Sequence, residues 1–414
     1  MSSSPTISAA LSRRKLPAWG TYSLDFNTFS NPGAESLRLF IQKLDKNATW
    51  ANTRSQNAEK LREQYKRSTL ELITALYREP SLLVEDVITI DDTQGLRGCL
   101  KQQFSCPLLF QSTPARSISP QQISWETFWE FMRENPQKFI DVYDYSINEE
   151  EKRTEKRSIE QVIEHWEKDP RTALNCLDIE NRLGHCCPLP IIELDLLERT
   201  ARYAETTVGK SDSTWVNSHK EFLLLSTRDS LSPIHVDIGA TLTWLYVLHG
   251  RKIVYFPRTI NLNAVRLLAR LGSEQFKGYE GGWIRVELRA GDLFIMPPSC
   301  PHAVFTPDDS LVVGGHFYTS AHLPSTLEGL RFLEEHQNIS NELLENDHYK
   351  ALARILKSYD KLATADEVKR VWATCHLFLD SPTKTKLPGA RAGFIGALKD
   401  FDKRVAEIFD NEPE

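Results

Sequence analysis

Short apolar segments separated by turn residues dominate the middle of the chain. From Glu221 onward, seven segments rich in β-branched and aromatic residues follow one another: FLLLST, TLTWLYVL, KIVYFP, WIRVEL, LFIM, AVFT and LVVGGHFY. Many short strands at this spacing are typical of a β-sandwich or a small barrel. We therefore expect a strand-rich core over residues 221–320.

Helices are predicted on both sides of this core. Apolar residues recur every three or four positions over 34–80, and Ser124 is a suitable N-cap for a helix in WETFWEFMREN. The charged run NEEEKRTEKR (148–157) is expected to be a solvated connection. After Pro324 we predict four helices, in the segments STLEGLRFLEEH, ELLENDHYKALARILKSYDK, ADEVKRVWATCHLFL and RAGFIGALKDFDKRVAEIF.

The composition excludes several classes of protein. Of 414 residues, 41% are hydrophobic and 26% are charged, and the net charge of −6 argues against binding nucleic acid by bulk electrostatics. No segment approaches the roughly 20 apolar residues needed to cross a bilayer. The N-terminus has no apolar signal region, so we do not expect secretion. Seven scattered cysteines without CxxC spacing are expected to be reduced thiols.

His-x-acid pairs occur in two different predicted settings. In LSPIHVDIGATLTW, His235 and Asp237 point the same way if the chain is extended, so they can bind one ion together. In IEQVIEHWEKD, His165 and Glu167 fall in a predicted helix, where positions i and i+2 do not share a face. We therefore interpret the first pair as a candidate chelate and the second as structural.

A third ligand must come from another segment, and His302 in VELRAGDLFIMPPSCPHAVF is the candidate. Two histidines and one carboxylate on one face of an octahedron leave three positions open, which is the arrangement used by non-haem Fe(II) oxygenases. The pattern alone leaves two interpretations open, a metal site or hydrogen-bonded core histidines.

The wider pattern resembles the JmjC family, and within it the lysine-demethylase branch associated with F-box and PHD-finger proteins. The similarity covers roughly Cys106 to His322. It includes PLLFQ, FIDVYDYS, LNCLDIE and RAGDLFIMPPSCPHAVFTPDDSLVVGGHF. Its gapless part runs from HVD at 235–237 through Gly239, Thr241, Trp244 and Gly250 to Lys252.

This resemblance implies an α+β protein with a double-stranded β-helix, the jelly-roll barrel of the JmjC fold. The expected division is a helical N-terminal region (1–103), a JmjC region (104–322) and a C-terminal helical domain (323–414). It also implies Fe(II) bound by His235, Asp237 and His302, and 2-oxoglutarate as co-substrate. Lys252 and Ser232 are the expected partners of its distal carboxylate, and Asn175 is expected to line the pocket.

Two departures from the branch pattern concern the residues that hold the co-substrate. Leu245 stands where the branch has a tyrosine that helps to hold the keto-acid, and Tyr246 cannot replace it because adjacent strand residues face opposite sides. His316 replaces a pocket asparagine in the GGHF strand, and is expected to bind the co-substrate or to compete as a metal ligand. These changes put the affinity for 2-oxoglutarate and the inherited substrate preference in doubt.

The resulting hypothesis is an Fe(II)- and 2-oxoglutarate-dependent dioxygenase acting as a histone or protein lysine demethylase. A JmjC protein hydroxylase and a non-catalytic JmjC scaffold are the alternatives. The expected partner is a protein substrate such as a methylated histone tail, which would suit the acidic net charge. Oligomerisation through the C-terminal helices stays open, and the location is expected to be the nucleus, by family resemblance, or the cytoplasm.

Overall fold

The computed structural model describes residues 87–112, 123–135, 139–144, 154–168, 174–183, 186–208, 221–228, 230–276, 279, 281–340, 342, 344–380 and 388–410. The helices predicted over 34–80 lie outside these residues, as does the first part of the charged run at 148–157.

Nine strands form the larger of two sheets in this part of the chain. Their order is β1-β2-β11-β8-β13-β6-β5-β3-β4, and every neighbouring pair is antiparallel except β1 and β2. The strands are β1 (Ile88–Ile90), β2 (Leu108–Phe110), β3 (Phe139–Asp144), β4 (Thr154–Ser158), β5 (Leu174–Glu180), β6 (Phe222–Ser226), β8 (Leu242–His249), β11 (Leu293–Met296) and β13 (Ser310–Phe317).

Four strands form the smaller sheet, in the order β10-β9-β12-β7. They are β7 (Leu231–His235), β9 (Arg251–Pro257), β10 (Trp283–Arg289) and β12 (His302–Phe305). One buried cluster contains side chains of both sheets, among them Val247 and Val312 of the larger and Val254 and Val286 of the smaller. The sheets therefore pack face to face, as in a β-sandwich or jelly roll. The strand segments predicted after Glu221 are confirmed.

Strand β8 shows why this region is so continuously apolar. Its even-numbered residues, including Trp244 and Tyr246, belong to a core on the outer face of the larger sheet, whereas Leu245 and Val247 face the smaller sheet. Both faces of the strand are buried, so the polar–apolar alternation of a half-exposed strand is lost. The expectation that Tyr246 points away from Leu245 is confirmed.

Helices cover the outer faces of both sheets. Helices α1 (Thr93–Leu100), α2 (Trp125–Glu134), α3 (Ile159–Lys168) and α4 (Leu189–Leu194) carry residues of the core on the larger sheet. Helix α5 (Leu196–Val208) follows, and α6 (Leu262–Phe276) packs on the smaller sheet. The Ser124 cap of α2 is confirmed, since its side chain accepts from the Thr127 N–H.

Four α-helices follow the last strand among the described residues, as predicted. They are α7 (Leu323–Leu333), α8 (Asn346–Leu362), α9 (Ala365–Leu379) and α10 (Pro388–Asp410). Their apolar faces form a separate buried cluster, which also contains Ile238 from the segment after β7. No helix among the described residues is both long and apolar enough to cross a membrane.

The prediction for the charged run was wrong over its last residues. Lys156 and its neighbours from Thr154 to Ser158 form β4, which pairs with β3 at the edge of the larger sheet. Alternating charge is compatible with an edge strand because it discourages further strand pairing. Helix α6 was not predicted.

Candidate metal centre and co-substrate cleft

His235 and His302 lie side by side on neighbouring strands of the smaller sheet. His235 is the last residue of β7 and His302 the first of β12, and the two are direct partners in the antiparallel register. Their ring centroids are 4.3 Å apart, and both residues are buried, with 7% and 3% of their surface exposed. Strand pairing thus joins two histidines that are 67 positions apart.

Asp237 lies two residues beyond His235 in extended backbone and faces the same two rings. Its Oδ1 atom is 3.7 Å from Nε2 of His235 and 3.7 Å from Nε2 of His302. One ligand atom from each of the three residues lies within 4.8 Å of the others. Within the described ranges this is the one group of three such residues with spacing suitable for a metal ion.

Backbone carbonyl groups fix which nitrogen of each imidazole faces the centre. Nδ1 of His235 is 2.7 Å from the Pro233 carbonyl oxygen, and Nδ1 of His302 is 3.0 Å from that of Cys300. A carbonyl oxygen can only accept, so Nδ1 carries a proton in both rings and Nε2 is the nitrogen that faces Asp237. Metal-binding histidines are commonly oriented in this way.

The protonation states also suit a metal ion. Burial and the neighbouring His302 lower the pKa of His235 to about 4, so its imidazole is neutral at pH 7. Burial acts to raise the pKa of Asp237, but three neighbouring histidines (His302, His235 and His316) and a hydrogen bond with Thr243 outweigh it, and the net shift is downward. A neutral imidazole and an ionised carboxylate are the forms that bind metals.

The same cleft contains a buried lysine. Lys252 on β9 has 4% of its surface exposed, and its Nζ donates to Ser226 Oγ at 2.6 Å and to Thr306 Oγ1 at 2.9 Å. In the described part of the chain, no carboxylate lies within 4.0 Å of Nζ. Burial lowers the pKa of Lys252 from 10.5 to about 7. A buried cation with only hydroxyl partners is well placed to receive an anion.

Asn175 connects the lysine to the wall of the cleft. Ser226 accepts from Lys252 and donates to Asn175 Oδ1 at 2.5 Å, and Asn175 Nδ2 donates to Ser232 Oγ at 3.0 Å. These hydrogen bonds join the larger sheet to β7. The structure therefore brings together Asn175, Ser232 and Lys252, which the sequence placed in one pocket.

The two departures from the branch pattern both line this cleft. Leu245 presents an apolar side chain from the inner face of β8. Nδ1 of His316 is 3.0 Å from Thr241 Oγ1 and 3.1 Å from Thr243 Oγ1, so two hydroxyls fix its ring. His316 is not part of the group of three metal-ligand candidates.

The other His-x-acid pair does not form an arrangement of this kind. His165 and Glu167 are on helix α3, as predicted, and neither lines the cleft. The cleft contains about 950 Å³ of space, which includes volume open to solvent.

Several residues in the cleft or in contact with Lys252 were not predicted from the sequence, among them Ser226, Thr306 and His348. Ser226 is the last residue of β6, and Thr306 directly follows β12. Nothing in their local sequence indicates that both contact Lys252. His348 comes from helix α8, more than a hundred residues after the HVD motif, yet its side chain lines the same cleft.

No family model matches the chain. Lysine-specific demethylase 2B of Mus musculus is 27% identical over 176 residues, 41% of this chain and 13% of that protein. Lysine-specific demethylase 2A of Xenopus tropicalis is 30% identical over 145 residues, 34% of this chain and 13% of that protein.

The JmjC domain-containing histone demethylation protein 1 of Saccharomyces cerevisiae is 34% identical over 113 residues, which are 26% of this chain and 23% of the yeast protein. The chain thus spans less than a quarter of the length of each of these three relatives. Over about a quarter to two-fifths of its own length, this chain is similar to JmjC proteins of the lysine-demethylase branch.

Proposed function

We propose that this protein is an Fe(II)- and 2-oxoglutarate-dependent dioxygenase that demethylates lysine in a protein substrate. The observation that carries the proposal is the presence of the His235–Asp237–His302 group and the buried Lys252 in one cleft. Neither feature alone is specific. Together they provide ligands for a metal ion and a cation for the far carboxylate of a dicarboxylate that is bound to that metal.

The metal would be held by Nε2 of His235, Nε2 of His302 and a carboxylate oxygen of Asp237. Two neutral nitrogens and one carboxylate oxygen suit Fe(II), and an incomplete ligand set leaves room for exogenous ligands. When bound, the iron and the keto-acid supply oxidative decarboxylation coupled to oxidation of a C–H bond. The protein orients the ligands through the Pro233 and Cys300 carbonyls.

The distal carboxylate of 2-oxoglutarate would pair with Lys252. Pairing restores the charged form of an ammonium whose pKa is lowered by burial. Ser232 and Asn175 would hold the same carboxylate or orient the residues that do. His316 would take the place of the branch asparagine on the cleft wall and present its imidazole to the co-substrate. A closed double-stranded β-helix around this cleft is part of the same proposal.

A cationic substrate suits the charge distribution of the cleft. Asp178 and Glu342 line it, whereas Lys252 is buried deeper in the cleft. Burial and neighbouring carboxylates raise the pKa of Glu342 to about 8, so a bound cation would favour its ionised form. The mouth of the cleft is therefore acidic and its interior basic. Methylated lysine keeps its positive charge, and the relatives are named as lysine or histone demethylases. A methylated histone tail is thus the proposed substrate, and a nuclear location follows from it.

The proposed division of labour follows the predicted boundaries. Residues 104–322 would form the catalytic JmjC region, with the helical segments 1–103 and 323–414 on either side. Helices in the last segment are also the proposed place for any oligomer contact.

Incubation with mono-, di- and trimethyl-lysine peptides, Fe(II), ascorbate and 2-oxoglutarate tests the proposal. We expect loss of a methylene from the peptide, detected by mass spectrometry, with equal amounts of succinate and formaldehyde. Gain of one oxygen instead would indicate a hydroxylase, the alternative favoured by the altered Leu245 and His316 positions. Absence of succinate with every peptide, and without peptide, would indicate a non-catalytic scaffold.

The role of the exposed carboxylates can be tested separately. Asp178→Asn should raise the KM for a basic methylated peptide about threefold to tenfold at low salt, with kcat unchanged. Glu342→Gln should have the same effect at pH 9, where this carboxyl is ionised. High salt should remove most of the difference because exposed charges are screened. Asp366→Asn, an exposed carboxylate on α9 that does not line the cleft, is the matched control. Equal KM values for all four proteins would contradict the assignment.

A further inference from the structure

The segment that directly follows β7, residues 236–240, contains the ligand candidate Asp237 and is held by the C-terminal part of the chain. The Val236 N–H donates to the Ile339 carbonyl oxygen at 2.9 Å. Ile238 is buried in the cluster formed by the C-terminal helices. Ala240 lies so close to Gly329 of α7 that a Cβ on this glycine would be 2.5 Å from the Ala240 Cβ. The backbone on both sides of Asp237 therefore rests on elements that come after residue 322.

His348 adds the contact closest to the cleft. It is 93% buried and lines the cleft from the first turn of α8. A Cβ built on Gly239 would lie 2.2 Å from its Cδ2 and 2.9 Å from its Nε2. The imidazole edge thus occupies the space in which any side chain at position 239 would lie. Gly239 also has φ +75°, so two independent reasons require glycine there.

The orientation of the His348 ring is fixed by its own helix. Nδ1 accepts a hydrogen bond from the Glu345 N–H at 3.3 Å, as part of a capping box at the start of α8. Because Nδ1 accepts, the proton of the neutral ring is on Nε2, at the edge that faces Gly239. One side of the ring therefore caps the helix and the other side bounds the segment after Asp237.

We propose that His348 is a positioning residue that holds the Asp237–Gly239 backbone, and through it the Asp237 carboxylate, in the geometry that binds the metal. The C-terminal helical segment is then part of the metal site and not only an appendage that packs beside it. The backbone at Gly239 and Ala240 is left-handed at both residues, with φ +75° and +52°. Such a turn keeps its shape only when the surrounding residues enforce it.

Two substitutions distinguish the helix-capping contact of the His348 ring from its contact with Gly239. His348→Asn keeps an acceptor near the position of Nδ1 for the helix cap but removes the edge that faces Gly239. His348→Phe keeps a ring against Gly239 but removes the cap. Tyr349→Phe is the control on the same helix, because it removes a buried hydrogen bond to Glu334 outside the cleft.

The measurement is Co(II) binding to the metal-free full-length chain, followed by calorimetry and by the visible absorption of the bound ion, with thermal unfolding in parallel. We expect His348→Asn to weaken Co(II) binding about tenfold to a hundredfold and to change the absorption spectrum. His348→Phe should stay within about threefold of the wild type despite a lower Tm. Tyr349→Phe should lower the Tm alone.

If Co(II) binding were weakened in His348→Phe and unchanged in His348→Asn, His348 would act only as a cap of the helix. Equal Co(II) affinities in all four proteins would overturn the proposal and leave the metal site standing. The inference rests on the proposed metal site, so a wild-type protein that binds no Co(II) would refute both.

A second measurement uses the space beside Gly239. Gly239→Ala should lower the Tm less in the His348→Asn background than in the wild type, because only the backbone strain remains once the ring edge is gone. Equal losses in both backgrounds would show that the ring does not press on this segment, which contradicts the proposal.

Discussion

The cleft has two ends that are built differently: the proposed metal end, with His235, Asp237 and His302, and the lysine end, with Lys252. At the metal end, His235 and His302 belong to one sheet and are oriented by backbone carbonyls within two residues of each ring. At the lysine end, Lys252 is held by side-chain hydroxyls of Ser226 and Thr306, which come from different parts of the chain. Local carbonyl groups orient the two histidine rings, whereas the hydroxyl partners of Lys252 are brought to it by tertiary packing alone.

The difference suits the positions at which the chain departs from the branch pattern. The three proposed metal ligands are all present, whereas the wall between the two ends carries Leu245 and His316. Replacing one of three protein ligands removes a direct bond to the metal, so metal affinity is expected to fall steeply. A carboxylate pocket shares its hydrogen bonds among several groups, so the loss of one donor weakens binding by degrees.

The strongest way to break the metal end is His235→Ala. We expect loss of metal binding and of all turnover because the metal loses one of its three proposed protein ligands. The fold should be retained because a neutral side chain is replaced by a smaller one. His165→Ala is the matched control, since it removes the histidine of the helical His-x-acid pair. Metal binding by equilibrium dialysis and circular dichroism check this. A His235→Ala protein that retains the metal would contradict the ligand assignment.

Lys252→Met breaks the lysine end and leaves the metal end intact. We expect Fe(II) affinity to stay at the wild-type level while the Kd for 2-oxoglutarate rises about ten- to a hundredfold, since a hydrogen bond to a charged group contributes roughly 1.5–3 kcal/mol. Calorimetric titration of the metal-loaded protein measures both. An unchanged Kd for 2-oxoglutarate would mean that the distal carboxylate binds elsewhere.

The same variant sharpens the contrast through stability. The pKa of Lys252 falls from 10.5 to about 7 on folding, so the charged lysine destabilises the ligand-free protein fully below pH 7, and this destabilisation disappears as the pH rises toward 10.5. Between pH 7 and 9 the wild type should gain on the order of 2 kcal/mol of unfolding free energy relative to Lys252→Met.

Urea unfolding of both proteins at several pH values measures this gain. Lys156→Met, at an exposed lysine on β4, is the control and should show no comparable pH dependence. Parallel pH profiles for the wild type and Lys252→Met would show that Lys252 is not buried in its charged form.

The smallest expected effect concerns the wall between the two ends. Leu245→Tyr restores the branch residue on the inner face of β8 and adds one hydroxyl to the cleft. We expect 2-oxoglutarate to bind about threefold to tenfold more tightly, the value of one ordinary hydrogen bond. Leu245→Phe adds the ring without the hydroxyl and should not reproduce the gain. Equal affinities for both variants would assign the effect to packing.

Much of this arrangement could be predicted from the sequence because it depends on short-range features. The strand period places His235 and Asp237 on one side, and three- and four-residue spacing identifies the C-terminal helices. Lys252 was found through its fixed distance from His235 in the resemblance to the JmjC family.

Other features depend on pairings that no local pattern reveals. Ser226 and Thr306 meet Lys252 from 26 and 54 positions away. The charged β4 has no apolar face, so only its pairing with β3 makes it a strand. His348 lies in an amphipathic helix like those around it, and its place beside Gly239 depends on how that helix packs on the sandwich.

Anaerobic titration of the Fe(II)-loaded protein with 2-oxoglutarate, followed by visible absorption, tests whether iron and 2-oxoglutarate bind together in this cleft. We expect a metal-to-ligand charge-transfer band in the wild type and in His165→Ala, no band in His235→Ala, and a band that needs higher 2-oxoglutarate concentrations in Lys252→Met. A wild-type protein that shows no band at saturating 2-oxoglutarate, or an undiminished band in His235→Ala, would contradict this expectation.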